Sequence, residues 1–206
     1  MTDTKEKILE TALRLFARYG YDAVSVSTIA GELGITKGAL YRHYADKRDI
    51  FDSIIKRMEQ RDAEQAQAFS LPEQPLDAEP EAYRRATLDA LFAFSRAQFR
   101  YWTEDHFAAD FRRLLTVEQF KTSEMSALYQ QYLASGPLGY VADILSSLGF
   151  TQPEQSAAKI YAPMFLFYSV YDAADDKAHA VNALDSALDS VKTELEQHSF
   201  GIRNAD

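Results

Sequence analysis

The sequence predicts an all-α fold in two parts, a small N-terminal helical domain and a longer C-terminal one. Apolar residues recur every three to four positions through most of the chain, as at Ile8, Ala12, Leu15, Phe16 and Tyr19. The 8 glycines and 6 prolines lie mostly between the periodic segments. No stretch alternates apolar and polar residues as a half-buried strand would, and there is no repeat or low-complexity tract.

The first helix spans 4–19, with Asp3 and Glu6 as a capping pair and Gly20 just past its end. The second spans 26–33, capped by Ser25 and stopped by Gly34. The third follows at once over 37–43, with Thr36 as its cap. Asp46, with Asp49 three residues on, opens a fourth helix that runs toward Phe69. Pro72, Pro75 and Pro80 make the next stretch a loop. Helices are expected over 81–103, 105–115 and 117–134, the last ended by Gly136-Pro137. Another covers 138–148, ended by Gly149. Thr151 as cap and Pro153 in the first turn open the next, which reaches Tyr171, and the last spans 178–198.

At 206 residues, 47% hydrophobic and 26% charged, the chain can bury a sizeable core and is not a disordered one. The lack of cysteine excludes disulfides, thiolate metal sites, iron–sulfur clusters and cysteine nucleophiles, and fits a reducing compartment. The polar start, Thr2-Asp3-Thr4-Lys5, is not a secretory signal. The longest mostly apolar run, 160–171, falls short of the roughly 20 residues of a membrane span. A soluble, cytoplasmic protein is expected. The net charge of −9 divides unevenly. Residues 1–58 hold ten Lys/Arg and eight Asp/Glu, whereas 59–206 hold twelve and twenty-three. A polyanion tolerates the first part and repels the second.

Residues 25–47 form a helix-turn-helix pattern. Ala30 is small where two helices cross, Ile29, Leu33, Ile35 and Leu40 supply apolar contacts, and the first helix closes the core. The exposed face of the third helix suits a DNA major groove. Gly38 and Ala39 let the backbone approach base edges and thymine methyls, and Lys37 can donate to guanine or to a phosphate. Tyr41, His43 and Lys47 can donate to phosphates beside the groove, and Ser25 with the first amides of the second helix makes another phosphate site. Spacing alone leaves a plain three-helix bundle open.

The stretch Ile29-Ala30-Gly31-Glu32-Leu33-Gly34-Ile35-Thr36-Lys37-Gly38-Ala39-Leu40-Tyr41-Arg42-His43-Tyr44-Ala45-Asp46-Lys47 resembles the DNA-binding signature of the tetracycline-repressor (TetR) family, as does its lead-in of Ile8, Leu9, Ala12, Phe16, Gly20 and Tyr21. The resemblance covers the first quarter of the chain. It implies a helix-turn-helix DNA-binding domain over 1–46 and a helical ligand-binding and dimerisation domain over 47–206. It implies a homodimeric transcriptional regulator on a near-palindromic double-stranded DNA operator, a repressor released by a small-molecule effector. It places DNA contacts at Ser25, Thr36, Lys37, Gly38, Ala39, Tyr41, His43 and Lys47. Two positions depart from it: Ser27 stands where many relatives carry a basic residue, and Arg42 where they often carry an aromatic.

Val181, Leu184, Leu188, Val191 and Leu195 form a heptad seam on the last helix, and Ile160, Met164, Phe167, Tyr168 and Tyr171 a face on the one before. Two helices per subunit would build a four-helix bundle across a two-fold axis, as the resemblance implies; the alternative is that both faces pack within one chain. The aromatic-rich central helices point to an apolar cavity. Gln98, Tyr101, Trp102, His106, Phe111 and Tyr129 are its candidate ligand contacts, with Gln98 and His106 as polar handles. The alternative is an ordinary core, which would give a regulator with a filled pocket and no ligand. Asp105, His106 and Asp110 lie close together, but no HExxH, phosphate loop or serine elbow completes a catalytic set. Neither an enzyme nor a metal or cofactor is expected.

Overall fold

The structure is a computed structural model that describes residues 4–73 and 76–203, with side chains through Gln197. Asp3, half of the expected capping pair, and Pro75 of the proline loop lie outside the described residues. Among the described residues the protein is all-α, with no strand. The helices α1 (Thr4–Tyr19), α2 (Val26–Glu32), α3 (Lys37–Leu40) and α4 (Lys47–Ala68) come first. They are followed by α5 (Pro80–Arg85), α6 (Leu88–Glu104), α7 (His106–Glu118), α8 (Ser123–Leu133), α9 (Ser135–Ser147), α10 (Pro153–Ala173) and α11 (Lys177–Arg203). None is long and apolar enough to cross a membrane. The chain divides into two compact units. The first comprises Met1–Asp62 and Glu104–Tyr129, the second Ala63–Thr103 and Gln130–Asp206.

In the first unit the apolar stripe of α1 packs against α2 and α7, and α2 against α3. Ile8, Ala12 and Phe16 of α1, Ile29 of α2, Leu40 of α3 and Phe51 of α4 are wholly buried, as is Phe111 of α7. Each large side chain so buried contributes about 1.5–3 kcal/mol. The turn between α2 and α3 depends on Gly34, whose φ is +66°. Its N–H donates to the Gly31 carbonyl at 3.1 Å, and the Ile35 N–H to the Ala30 carbonyl at 3.0 Å. These bonds close α2 and turn the chain straight into α3.

In the second unit α9 packs on α10, α10 on α11 and α5 on α9. Ion pairs join α6 to α11, with Arg96 on Asp185 and Asp189 and Arg100 on Asp185.

Several expected boundaries move. The third helix stops at Leu40 instead of residue 43, because the Arg42 and His43 N–H groups bond three residues back, which tightens and ends it. The helix expected over 81–103 is two, broken at Ala86-Thr87, where the Thr87 hydroxyl caps α6 by accepting the Ala90 N–H. Val117 and Glu118 finish α7 instead of starting the next helix, and α8 is capped by Thr122, which accepts the Met125 N–H. Gly136-Pro137 does not end a helix but lies in the first turn of α9, where proline lacks only an N–H that would have no partner. Thr151 does not cap α10; Gln152 holds that position without a side-chain bond, and Pro153 starts the helix.

Most of the two expected helix faces is covered within the chain. Val181, Leu184, Leu188 and Leu195 of α11 and Ile160, Met164 and Tyr168 of α10 are buried, whereas Val191, Phe167 and Tyr171 are half-buried. A seam of period 3.5 reports that one helix face is covered, and here a neighbouring helix of the same unit covers it. The side of α10 left bare carries Phe165, Leu166 and Val170, which are 47%, 61% and 41% exposed.

The end of α4 holds a strained residue. Ser70 has a φ of 55°, its N–H bonds the Gln67 carbonyl, and the Leu71 N–H bonds the Ala66 carbonyl. A side chain in this left-handed conformation costs about 1–2 kcal/mol, which glycine avoids. Ser70→Gly should therefore raise the melting temperature by about 2–4 °C in a thermal scan. A lower melting temperature would show that the serine is unstrained.

Candidate nucleic-acid interface

The recognition surface is shaped by local hydrogen bonds. Ser25 Oγ accepts the Thr28 N–H at 3.0 Å and lies 2.9 Å from the Thr28 hydroxyl. Thr36 Oγ1 accepts the Ala39 N–H at 3.1 Å. Both hydroxyls thus act as helix caps, and both residues are exposed. Asp46 Oδ1 accepts the Asp49 N–H and Asp49 Oδ2 accepts the Ala45 N–H, each at 2.8 Å, a reciprocal cap that fixes the start of α4 beside α3.

All eight expected DNA-contact residues fall in the first unit. Ser25, Thr36, Lys37, Gly38 and Tyr41 are exposed, and Ala39, His43 and Lys47 are half-buried. The Lys37 ammonium lies 5.6 Å from the centre of the Tyr41 ring, so the two side chains form one amphipathic ridge. Arg14, Arg48, Arg57 and Arg61 of this unit each pair with a carboxylate. Lys37 and Arg42 are exposed and form no ion pair among the described residues. The α3 segment and the turn after it thus keep cations that form no ion pair among the described residues.

Gly38 is informative for what it does not do. A Cβ added there would meet nothing closer than Thr36 Oγ1 at 4.0 Å, and its φ is ordinary. Neither crowding nor backbone conformation therefore requires a glycine at this position.

Lys47 has an internal role that sequence reasoning missed. Its ammonium donates to the Tyr21 carbonyl at 2.9 Å and lies 4.3 Å from the centre of the Tyr21 ring. The Tyr21 N–H in turn donates to Glu118 Oε1 at 3.2 Å. Glu118 is buried at 2% exposure, and Lys121 also donates to it, at 2.7 Å. Burial pushes the Tyr21 hydroxyl pKa up. Lys47 retains two further ammonium protons for a phosphate.

Residues 8–54 match the family profile described as "Bacterial regulatory proteins, tetR family". The chain carries the TetR-family N-terminal domain. Its first part is 44% identical over 52 residues to the HTH-type transcriptional regulator AcrR of Shigella flexneri, covering 25% of this chain and 24% of that one. The match thus spans about a quarter of that curated relative. Similarity of fold extends much further. A transcriptional regulator (TerR/AcrR family) from Aquifex aeolicus VF5 superposes with a TM-score of 0.68 at 17% identity, over 92% of this chain and 99% of that one. SmeT, the repressor of the Stenotrophomonas maltophilia multidrug efflux pump SmeDEF, superposes at 0.57 and 18% identity, over 92% and 90%. SmeT is also known in complex with triclosan. The TetR-type helix-turn-helix domain and helical C-terminal part expected from the sequence are both present.

The six expected ligand contacts divide between the units. Gln98, Tyr101 and Trp102 lie on α6 in the second, with the Tyr101 and Trp102 rings 5.8 Å apart. His106, Phe111 and Tyr129 lie in the first, where Phe111 is core, His106 is exposed at the start of α7 and Tyr129 is half-buried.

Asp62 of α4 was not singled out by the sequence. Its Oδ1 is buried without a hydrogen-bond partner. Burial, with Glu59 adding repulsion, raises its carboxyl to about 7. The folded chain therefore holds this proton after the unfolded chain releases it near pH 4. The stabilisation is full below pH 4 and is lost as the pH rises through 7. Asp62→Asn should remove that loss. The melting temperature of the variant minus that of the wild type should grow from pH 4 to pH 8. A difference independent of pH would disprove the shift.

Proposed function

We propose that this chain is a sequence-specific, DNA-binding transcriptional repressor that acts as a homodimer and is released by a small-molecule effector. Residues 1–46 read the DNA, and 47–206 bind effector and dimerise. The observation that carries the DNA reading is Gly38. The fold does not need a glycine there, but a major groove does, because a bare backbone can lie against base edges. Lys37 on α3 and Arg42 in the turn after it supply cations, Tyr41, His43 and Lys47 address phosphates, and the exposed hydroxyls of Ser25 and Thr36 stand at the starts of α2 and α3. Ala39 contacts a thymine methyl.

The partner of each head is a second copy of the chain. The bare face of α10, with Phe165, Leu166 and Val170, is the apolar surface available for it. Two heads spaced about 34–36 Å apart read a near-palindrome. An effector releases DNA only if it binds the released state more tightly than the DNA-bound one. The capture of triclosan by a protein of the same fold supports this mode of control.

Selection of bound sequences from a random duplex library, at stated salt, tests the reading. A near-palindromic consensus is expected; a folded protein that recovers no consensus defeats it. On the selected duplex, Gly38→Ala should weaken binding by tenfold or more, which is about 1.4 kcal/mol, while leaving the melting temperature unchanged or higher. Undiminished binding would remove α3 from the groove. Leu166→Asp should convert a dimer to a monomer in sedimentation and lower operator affinity with it. An unchanged mass would place the interface elsewhere.

A further inference from the structure

The second unit buries a polar group that its own fold leaves unsatisfied. Gln98 sits in the middle of α6 at 8% exposure, with its Oε1 enclosed and unpaired among the described residues. The neighbouring buried hydroxyls of α6 are satisfied locally. Ser95 donates to the Leu91 carbonyl at 2.8 Å and Thr103 to the Phe99 carbonyl at 2.7 Å. A buried amide end with no partner bears its full desolvation penalty, so this position calls for a group from outside the chain.

Its buried neighbours one turn away along α6 are aromatic. Phe94 and Trp102 lie one turn to either side of Gln98 on the same face of α6, and both are buried. The Trp102 ring meets Tyr132 of α8 at 6.4 Å. Among the described residues of this unit, no Asp, Glu, Lys, Arg or His is buried. Arg96 and Arg100, the cations nearest Gln98 on α6, are turned to Asp185 and Asp189 of α11. An ionic ligand here would lose its hydration and find no buried group of opposite charge.

We propose that Gln98 and Trp102 form the effector site, and that it takes a neutral, planar aromatic molecule with a single hydrogen-bonding group. That group pairs with the buried end of the Gln98 carboxamide, and the ring stacks against Trp102. A half-turn of the carboxamide presents oxygen or N–H, so a donor or an acceptor is served. The proposal rests on the effector-controlled reading above and specifies its ligand.

Trp102 is the chain's single tryptophan, so it reports on this site without labelling. The probe is N-phenyl-1-naphthylamine, a neutral dye with one N–H, followed by energy transfer from Trp102 in the full-length protein. Its sulfonated analogue 8-anilinonaphthalene-1-sulfonate and the cation rhodamine 6G serve as charged comparisons. Saturable transfer to the neutral dye is expected, with both charged dyes about tenfold weaker or more. Gln98→Met should weaken the neutral dye about tenfold, the worth of one hydrogen bond, without lowering the melting temperature. Absence of saturable transfer, equal binding of a charged dye, unchanged affinity in Gln98→Met or a lower melting temperature would each overturn the proposal. Binding of the selected duplex by the same preparation separates the two readings. Intact DNA binding beside a failed dye test defeats this site alone, and dye binding without DNA binding defeats the regulator.

Discussion

Tyr21 joins three helices through one peptide group and one ring. Its N–H is taken by Glu118 at the end of α7, and its carbonyl by the Lys47 ammonium at the start of α4. Its ring lies 5.1 Å from Phe16 of α1 and 5.1 Å from Phe51 of α4. A carboxylate as buried as Glu118 is tolerable only while it is paired, and the Tyr21 amide and the Lys121 ammonium both donate to its Oε1. Gly20 makes the arrangement possible. Its φ is +85°, and a Cβ there would stand 2.9 Å from Glu118 Oε1. The pair α2–α3 departs from this corner, so its direction follows from the corner's geometry.

The residues proposed to face DNA therefore have unequal freedom. Ser25 and Thr36 shape the helix starts, each hydroxyl oxygen accepting a backbone N–H three residues on. Lys47 positions the Tyr21 turn with the same ammonium that is proposed to meet a phosphate. Gly38 has no structural duty, and Lys37 leans only on Tyr41. In a binding experiment, loss of Lys47 would thus disturb the Tyr21 turn as well as any DNA contact, whereas Gly38 and Lys37 carry no comparable internal bond among the described residues.

The parts of this fold that were legible in the sequence are those set by neighbours along the chain. Caps at Ser25, Thr36 and Asp46 work over three residues, and the stop at Gly34 follows from its backbone freedom. The break at Thr87 was hidden because threonine also occurs within helices, and apolar periodicity continues across it. Gly136-Pro137 punctuates the chain as expected, but proline serves a helix start as well as a stop. The seam on α11 shows the limit of periodicity, which reveals that a face is covered but not by which chain. Glu118 and Tyr21 lie 97 residues apart, and no local pattern couples them. The enclosed ends of Gln98 and Asp62 are likewise tertiary facts, although Gln98 stood out as a lone amide among aromatics.

The first unit is discontinuous, since 104–129 return to complete what 1–62 begin. During synthesis, at about 5–20 residues per second, the intervening segment takes roughly 2–8 s to emerge. For that interval α1 has no α7 to cover it, and the nascent head waits with an apolar flank open to chaperones. The same discontinuity governs recombination between relatives. A head exchanged as one uninterrupted N-terminal piece leaves behind the carboxylate that its own Gly20 makes room for, so a chimaera that keeps the head intact must inherit both stretches together.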